Sequence, residues 1–185
     1  YFKMEIQQAI EIRRSIRAYG DRPVEQEKLE AVLRAGNQAP IFGRLHMSVF
    51  AGPEQLQAVD AAAVAGMARS GVPFLENLAA QEGYHPLYGA AALVVLSAPG
   101  GLDEKGFNMA NVSCAAENML LAAAGLGLGS CFLMGPMAAF SDPALRARLE
   151  LPEGYEPLVG VALGYAAPEH PAAPERTDAG ITWCR

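Results

Sequence analysis

Three cations and a hydroxyl lie within five residues near the start of the chain, in Arg13-Arg14-Ser15-Ile16-Arg17. In a helix Arg13 and Arg17 would share one face, and in an extended strand Arg13, Ser15 and Arg17 would point to one side. In either conformation the guanidinium groups of Arg13 and Arg17 can converge. Together with the hydroxyl they suit a phosphate, because arginine offers a rigid fork of donors to a dianion. The alternative is a basic end to a first helix, where cations offset the helix dipole.

The other residue types that often do chemistry are scattered. The histidines and cysteines are widely spaced and form no pattern of metal ligands: His46, His85, His170, Cys114, Cys131 and Cys184. We expect each histidine to be a surface or structural residue, and spacing suggests no pair of nucleophile and base. The GLGLG stretch at 125–129 follows a predicted helix, which is the wrong order for a dinucleotide fingerprint. If the chain is an enzyme, a cofactor is therefore expected to supply the reactive group.

Composition predicts one compact domain over residues 1–185, because 51% of the residues are hydrophobic and 18% are charged. The net charge of −6 makes nucleic acid and anionic membrane surfaces poor partners. The wide cysteine spacing favours a reducing cytosol, so a cytoplasmic location is expected. No apolar run reaches the roughly 18 residues that a membrane span needs.

Hydrophobic periodicity predicts a mixture of helices and strands. The predicted helices lie at residues 4–14, 25–36, from 53 onward with weak periodicity over 61–83, at 107–125 and at 142–149. The predicted strands lie at residues 46–51, 91–98, 131–134 and 158–163, and the second of these is apolar throughout, as in a central strand. Strands this few and this unevenly spaced argue against a Rossmann or TIM architecture.

The longest predicted helix, residues 107–125, is apolar nearly all round, so it must be buried in the core or in a subunit interface. Glu117 and Asn118 are polar residues within it that need partners.

Four segments in this order resemble the nitroreductase family of FMN-dependent oxidoreductases: RRSIRAYGDRPV at 13–24, AALVVLSA at 91–98, AAENMLLAAAGLGLGSCFLMGP at 115–136 and EGYEPLVGVALGYAAP at 153–168. The resemblance implies an α+β fold with a nitroreductase-like mixed β-sheet wrapped by helices. It also implies an intertwined homodimer with two FMN molecules at the interface, to which residues 107–125 contribute the dimer helix. Hydride would pass from NADH or NADPH to flavin N5, and then to a nitroaromatic, a quinone or a similar acceptor in a ping-pong cycle.

The same resemblance implies which residues bind FMN. Those that match the family's phosphate and ribityl contacts are Arg13, Arg14, Ser15, Arg17 and, near the C-terminus, Arg176. Leu133, Met134 and Gly135 match the short strand whose backbone lies beside the isoalloxazine ring, where the Gly135 N–H is expected to donate to flavin N5. A glycine there is expected to let a flat ring approach the chain closely.

The chain departs from the family pattern after Ala39-Pro40. Many members carry two small hydroxyl residues, an Asn and a Gln where this chain has Ile41, Phe42, Arg44 and His46. The flavin edge and the acceptor site are therefore expected to differ. One hypothesis places Arg44 near the pyrimidine end of the flavin, where its charge would stabilise the anionic reduced form. The alternative is that Arg44 points to solvent.

Three functions stay open on these residues. The first is an NAD(P)H-dependent flavin oxidoreductase with a fairly open site that accepts several electron acceptors. The second is a flavin-binding storage or sensor protein without turnover. The third is a relative with diverged flavin chemistry, such as reductive dehalogenation or oxygen-dependent flavin breakdown.

Overall fold

The computed structural model describes residues 4–100, 105–168 and 180–184, which form helices around one sheet. Their order along the chain is α1 (Ile6–Ile12), α2 (Gln26–Asn37), β1 (His46–Ala51), α3 (Pro53–Met67), α4 (Pro73–Ala79), β2 (Ala92–Pro99), α5 (Lys105–Gly125), β3 (Gly129–Leu133), a 3₁₀ helix (Gly135–Ser141), α6 (Pro143–Ala147) and β4 (Tyr155–Gly164). No helix in this part of the chain is both long enough and apolar enough to cross a lipid bilayer.

The four strands form one sheet in the order β1-β2-β4-β3, and each neighbouring pair is antiparallel. β2 is central and its residues 92–98 are all buried, as its apolar sequence predicts. β3 is an edge strand. The parallel contact at this edge is the bridge between Ser15 and Ser130, which aligns the start of the chain with β3.

Two hydrophobic clusters cover the two faces of the sheet. Val94 and Leu96 belong to the cluster that includes α2 and α5, whereas Leu93 and Val95 belong to the cluster that includes α3 and α6. Side chains in a strand alternate between faces, so β2 supplies both layers. This arrangement confirms the predicted α+β fold in which helices wrap a sheet.

The largest correction concerns the first helix. α1 ends at Ile12 instead of residue 14, and Arg13 already has an extended ψ of 130°. The Ile16 N–H donates to the Ser130 carbonyl at 2.9 Å, so pairing with β3 holds this segment extended. Of the two conformations that the sequence leaves open for residues 13–17, the structure shows the extended one.

Other boundaries differ for local reasons. The helical stretch predicted over 61–83 is interrupted between Met67 and Pro73, where Gly71 has a φ of +71° that a helix does not allow. The 3₁₀ helix that follows β3 is not predicted by the sequence, because its seven residues are too short for helical periodicity to show.

Glu117 and Asn118 of α5 both have polar partners. The Glu117 carboxylate lies 3.0 Å from the Arg13 guanidinium, and the Asn118 side-chain amide donates to the Ala35 carbonyl at 3.2 Å. One contact ties α5 to the extended segment and the other ties it to α2.

Candidate functional site

The extended segment Arg13–Arg17 lies along the free edge of β3 and faces the buried thiol of Cys131. Burial raises the pKa of the Cys131 thiol, and the charge of Arg17, a hydrogen bond with Ser15 and the charge of Arg13 act in the opposite direction. Arg13, Ser15 and Arg17 therefore all lie near this thiol. Ile16 lies between Ser15 and Arg17 in the sequence and is buried, whereas those two residues are exposed. This alternation is expected of an extended segment.

Arg13 is engaged by an acidic partner at this edge. Its Nε lies 3.0 Å from Glu117 Oε1, and the Glu117 side chain is half exposed. Arg13 and Arg14 also line a small cavity of about 230 Å³, together with the turn at 127–130 that leads into β3. An anion bound here would meet two guanidinium groups and the charge of Glu117.

Arg17 lies in the wall of a much larger cavity of about 1050 Å³. The cavity is lined by the segment after Arg17, the start of α3 and residues 81–91. Its volume is at the upper end of the range for small-molecule and cofactor sites. Two of its tyrosines, Tyr19 and Tyr84, have a raised pKa, mainly because burial disfavours the charged phenolate. Both therefore present neutral hydroxyl groups.

A histidine–carboxylate pair also lines this cavity, and the sequence does not reveal it. The Nδ1 atom of His85 lies 2.7 Å from Asp60 Oδ2, and the other oxygen of Asp60 accepts from the Leu87 N–H at 2.8 Å. His85 is exposed as expected, but Asp60 lies on α3, 25 residues earlier in the chain. Only the fold brings the two together, so spacing along the sequence gives no signal.

The residues expected beside a flavin ring lie where β3 ends. Leu133 is buried, Met134 is 56% exposed and Gly135 begins the 3₁₀ helix. A Cβ atom on Gly135 would lie 3.5 Å from the Met67 side chain and 3.9 Å from that of Leu75, which is ordinary contact. A Cβ atom would therefore fit at this position, and these contacts do not by themselves require a glycine.

The residues of the unusual loop line neither cavity of their own chain. Phe42 is 83% exposed, yet Asn111 holds its backbone, accepting from the Phe42 N–H at 3.0 Å and donating to the Phe42 carbonyl. Ile41 packs against the α2–α5 cluster, and Arg44 is exposed.

His46 and Arg176 are the remaining residues that the sequence singles out. His46 Nε2 lies 3.2 Å from the Leu149 carbonyl, which is a structural contact. Arg176 lies outside the described residues, so its expected phosphate contact stays a prediction.

The donor chemistry of the site suits an organic ligand that carries an anionic group. Guanidinium and hydroxyl groups along residues 13–17 suit a phosphate, and the large cavity beside Arg17 has tyrosines in its wall. Within the described part of the chain, no group of three or more His, Cys, Asp or Glu side chains is placed to hold a metal ion.

The chain is similar in sequence to known proteins over most of its length. The family model described as the nitroreductase family matches residues 10–165. A candidate NADH dehydrogenase/NAD(P)H nitroreductase from Archaeoglobus fulgidus is 33% identical over 162 residues, which cover 85% of this chain and 83% of the relative.

Solved structures show the same fold. A nitroreductase with bound FMN from Bacteroides fragilis NCTC 9343 superposes with a TM-score of 0.84 and is 30% identical, covering 98% of this chain and all of the other. A BluB-like flavoprotein from Clostridium difficile 630 superposes with a TM-score of 0.76 at 19% identity, over 95% of each chain, and at that identity it shows the fold alone. With a family model that spans residues 10–165, the chain belongs to the nitroreductase family, whose members are oxidoreductases.

Proposed function

We propose that this chain is an FMN-dependent oxidoreductase that takes hydride from NADH or NADPH and passes it to nitroaromatic, quinone or similar acceptors in a ping-pong cycle. The observation that carries the proposal is the extended segment Arg13–Arg17, which brings two arginines and a serine near Cys131 at the edge of β3. Arg17 also lies in the wall of the 1050 Å³ cavity. The related B. fragilis nitroreductase binds FMN, which supports the choice of cofactor.

The residues present fit the phosphate end of FMN. A phosphate that is partly removed from water needs cationic partners with hydrogen-bond donors. Arg13, Arg14 and Arg17 supply the cations and Ser15 a hydroxyl, while Arg176 is proposed to add a fourth cation. Glu117 pairs with the Nε of Arg13 at 3.0 Å and so orients that guanidinium group.

The residues around the end of β3 fit the isoalloxazine ring of FMN. When bound, FMN would supply the hydride chemistry, and the protein would bind and orient the reactants. Leu133 is buried at the end of a paired strand, which gives Met134 and Gly135 a defined backbone position. In this proposal the Gly135 N–H donates to flavin N5.

We also propose that the working form is a homodimer. Phe42 and Phe107 are both largely exposed, and their ring centroids lie 6.3 Å apart. Ile6, Ile10 and Ile12 of α1 are exposed as well. Because Ile41, Phe42 and Arg44 line neither cavity of their own chain, we propose that this loop reaches the flavin edge of the partner subunit. Sedimentation analysis of wild type should give twice the monomer mass. The Phe42→Asp substitution should lower the measured mass toward that of the monomer.

The decisive experiment begins with the absorbance of the purified protein. A yellow protein that releases FMN on denaturation is expected, and anaerobic NADH or NADPH should bleach the flavin band. A quinone or nitroaromatic should then restore it. A yellow protein that neither donor bleaches would point to storage or sensing. A colourless protein that cannot be reconstituted with FMN would overturn the proposal.

A further inference from the structure

Two separate cavities lie beside the extended segment, and the three arginines of that segment are divided between them. Arg13 and Arg14 line the small cavity of about 230 Å³, and Arg17 lines the large cavity of about 1050 Å³. None of the described residues lines both cavities, and residues 133–135, where the flavin ring is proposed to lie, line neither. The large cavity therefore lies beside the proposed phosphate site and is left over when FMN is bound.

The wall of the large cavity carries groups that suit a purine base. The Tyr84 and Tyr88 rings meet edge to face with their centroids 6.3 Å apart, and both side chains are half-buried. Such rings offer a flat apolar surface on which a base can stack. The exposed side chains of Gln57 and Gln81 also line the cavity. A side-chain amide can both accept from and donate to the edge of an adenine.

The aromatic part of this wall is held in place. Tyr88 has a φ of +55°, a conformation that bulky residues rarely adopt, and its N–H donates to the His85 carbonyl at 2.9 Å. His85 Nδ1 lies 2.7 Å from Asp60 Oδ2, and the other oxygen of Asp60 accepts from the Leu87 N–H at 2.8 Å. These contacts join the turn to α3. Because strained backbone concentrates at functional sites, we infer that the wall is preorganised for a ligand.

The charges of the large cavity disfavour a further phosphate. The charged residues in its lining are the carboxylates Asp21, Asp60 and Glu82 and the guanidinium of Arg17, so the lining is net negative even when His85 is protonated. Arg17 is moreover assigned to the FMN phosphate. Carboxylates accept hydrogen bonds from sugar hydroxyls, which is how many NAD sites hold a ribose. The cavity therefore suits a nucleoside with free ribose hydroxyls.

We propose that the large cavity binds the adenosine end of the hydride donor, and that Asp21 and Glu82 make NADH the preferred donor over NADPH. The inference rests on the proposed function and deepens it. NADH carries two ribose phosphate units, whereas FMN carries one ribityl phosphate. A donor whose nicotinamide lies on the flavin ring and which runs along FMN therefore extends past the FMN phosphate. Its adenosine then reaches the cavity beside Arg17, where the 2′-phosphate of NADPH would face the two carboxylates.

The test compares three donors that share one dihydronicotinamide ring. NADH, NADPH and reduced nicotinamide mononucleotide, which lacks the adenylate half, are each mixed anaerobically with the FMN-loaded wild type. The dependence of the flavin reduction rate on donor concentration gives an apparent Kd for each donor. We expect the Kd for NADH to be about tenfold lower than that for the mononucleotide, because one base stacks. It should also be about tenfold lower than that for NADPH, because two carboxylates repel the 2′-phosphate.

Variants assign these effects to the cavity. Tyr84→Leu should reduce the preference for NADH over the mononucleotide about tenfold, whereas Tyr84→Phe keeps the ring and should retain most of that preference. The double variant Asp21→Asn, Glu82→Gln should bring the Kd for NADPH to within about twofold of that for NADH. Its matched control is Glu27→Gln, Glu153→Gln, which removes two exposed carboxylates that line neither cavity and should keep the wild-type preference.

The outcomes distinguish the two proposals. Wild type whose flavin none of the three donors reduces removes the proposed function and this inference with it. If the donors do reduce the flavin, an equal Kd for NADH and the mononucleotide refutes the adenosine site and leaves the oxidoreductase standing. A lower Kd for NADPH than for NADH, or a double variant that keeps the wild-type preference, refutes the role of the carboxylates. The wild-type and double-variant measurements decide the matter even when Tyr84→Leu does not fold.

Discussion

The Nε atom of Arg13 lies 3.0 Å from the Oε1 atom of Glu117. This ion pair joins the first residue after α1 to α5, and it sets the direction in which the Arg13 guanidinium points. It also brings a negative charge to the place where a cofactor phosphate is proposed to bind. The Glu117 carboxylate therefore both orients Arg13 and would repel the phosphate. A conservative substitution can separate these two effects.

Glu117→Gln should bind FMN more tightly than wild type. The amide oxygen of the glutamine still accepts from Arg13, so the orientation is kept, while the repulsion of the phosphate by Glu117 is lost. Coulomb's law at a separation of about 7 Å in a watery environment, reduced by salt, gives about a two- to fivefold lower Kd. Fluorescence titration of the flavin-free protein with FMN measures this value.

Glu156→Gln is the matched control, because Glu156 is an equally exposed carboxylate that pairs with Arg146 at 2.8 Å. It should leave the Kd for FMN unchanged. Weaker FMN binding by Glu117→Gln would contradict this prediction and would mean that the ionised carboxylate helps binding more by orienting Arg13 than it hinders binding by repelling the phosphate.

Arg17→Gln should weaken FMN binding by about ten- to a hundredfold, because one charge-assisted hydrogen bond contributes about 1.5–3 kcal/mol. The same titration checks the value. Arg34→Gln serves as the comparison, since Arg34 is an exposed arginine of α2 whose Glu30 partner lies 3.7 Å away, outside either cavity. An equal loss in both variants would show that the effect is one of net charge alone.

The sequence predicts the layers of the fold better than the site. The unbroken apolar run of β2 and the nearly apolar sequence of α5 identify the central strand and a helix of the core, because burial dictates those residue types. The site depends on contacts between distant segments. Two contacts show this: Arg13 pairs with Glu117, and Asp60 pairs with His85. The partners in each pair lie far apart in the chain, so hydrophobic periodicity gives no sign that they meet. Even the conformation of residues 13–17 is decided by pairing with Ser130, which local propensity cannot express.

Gly66→Ala should destabilise the protein although alanine favours helices. A Cβ atom at Gly66 would overlap the carbonyl oxygen of Ala138, so α3 and the 3₁₀ helix could no longer pack as closely. We expect a loss of about 1–3 kcal/mol or more in the free energy of unfolding, measured by urea titration. Because that 3₁₀ helix begins at Gly135, FMN binding should weaken too.

Gly125→Ala is the control for this substitution. Gly125 ends α5 in open space, and a Cβ atom added there would meet no atom within 4 Å. The free energy of unfolding of Gly125→Ala should equal that of wild type or exceed it by up to about 1 kcal/mol. An equal change in the free energy of unfolding in Gly66→Ala and Gly125→Ala would contradict the close packing at Gly66.

Two buried serines on neighbouring strands should respond to alanine in opposite directions. The Ser97 hydroxyl is fully buried and has no hydrogen-bond partner among the described residues, so Ser97→Ala should stabilise the fold by about 1 kcal/mol. The Ser48 hydroxyl donates to the Leu149 carbonyl at 2.7 Å, so Ser48→Ala should cost about 1 kcal/mol. Urea unfolding of both variants gives the sign of each change in the free energy of unfolding. A loss of stability in both variants would mean that the Ser97 hydroxyl has a hydrogen-bond partner.

Stability should fall in acid through Glu25. The hydrogen bond from the Tyr165 hydroxyl, at 2.7 Å, is the main reason why the pKa of Glu25 drops from 4.5 to about 2, with its backbone, Arg22 and Lys28 contributing less. A carboxyl group whose pKa is lower in the folded state stabilises that state above its unfolded pKa. The contribution is therefore present above pH 4.5 and is lost between 4.5 and about 2.

The difference in unfolding free energy between wild type and Glu25→Gln should follow that profile. It should be constant from neutral pH down to about 4.5 and shrink below it, and added salt should reduce it, because Glu25 is exposed. Tyr165→Phe removes the main hydrogen bond and keeps the ring that Arg22 stacks on at 4.1 Å. In that variant the loss should still begin near pH 4.5, but it should be smaller and should end at a higher pH than in wild type. A Tyr165→Phe profile identical to that of wild type would assign the lowered pKa to the cations instead.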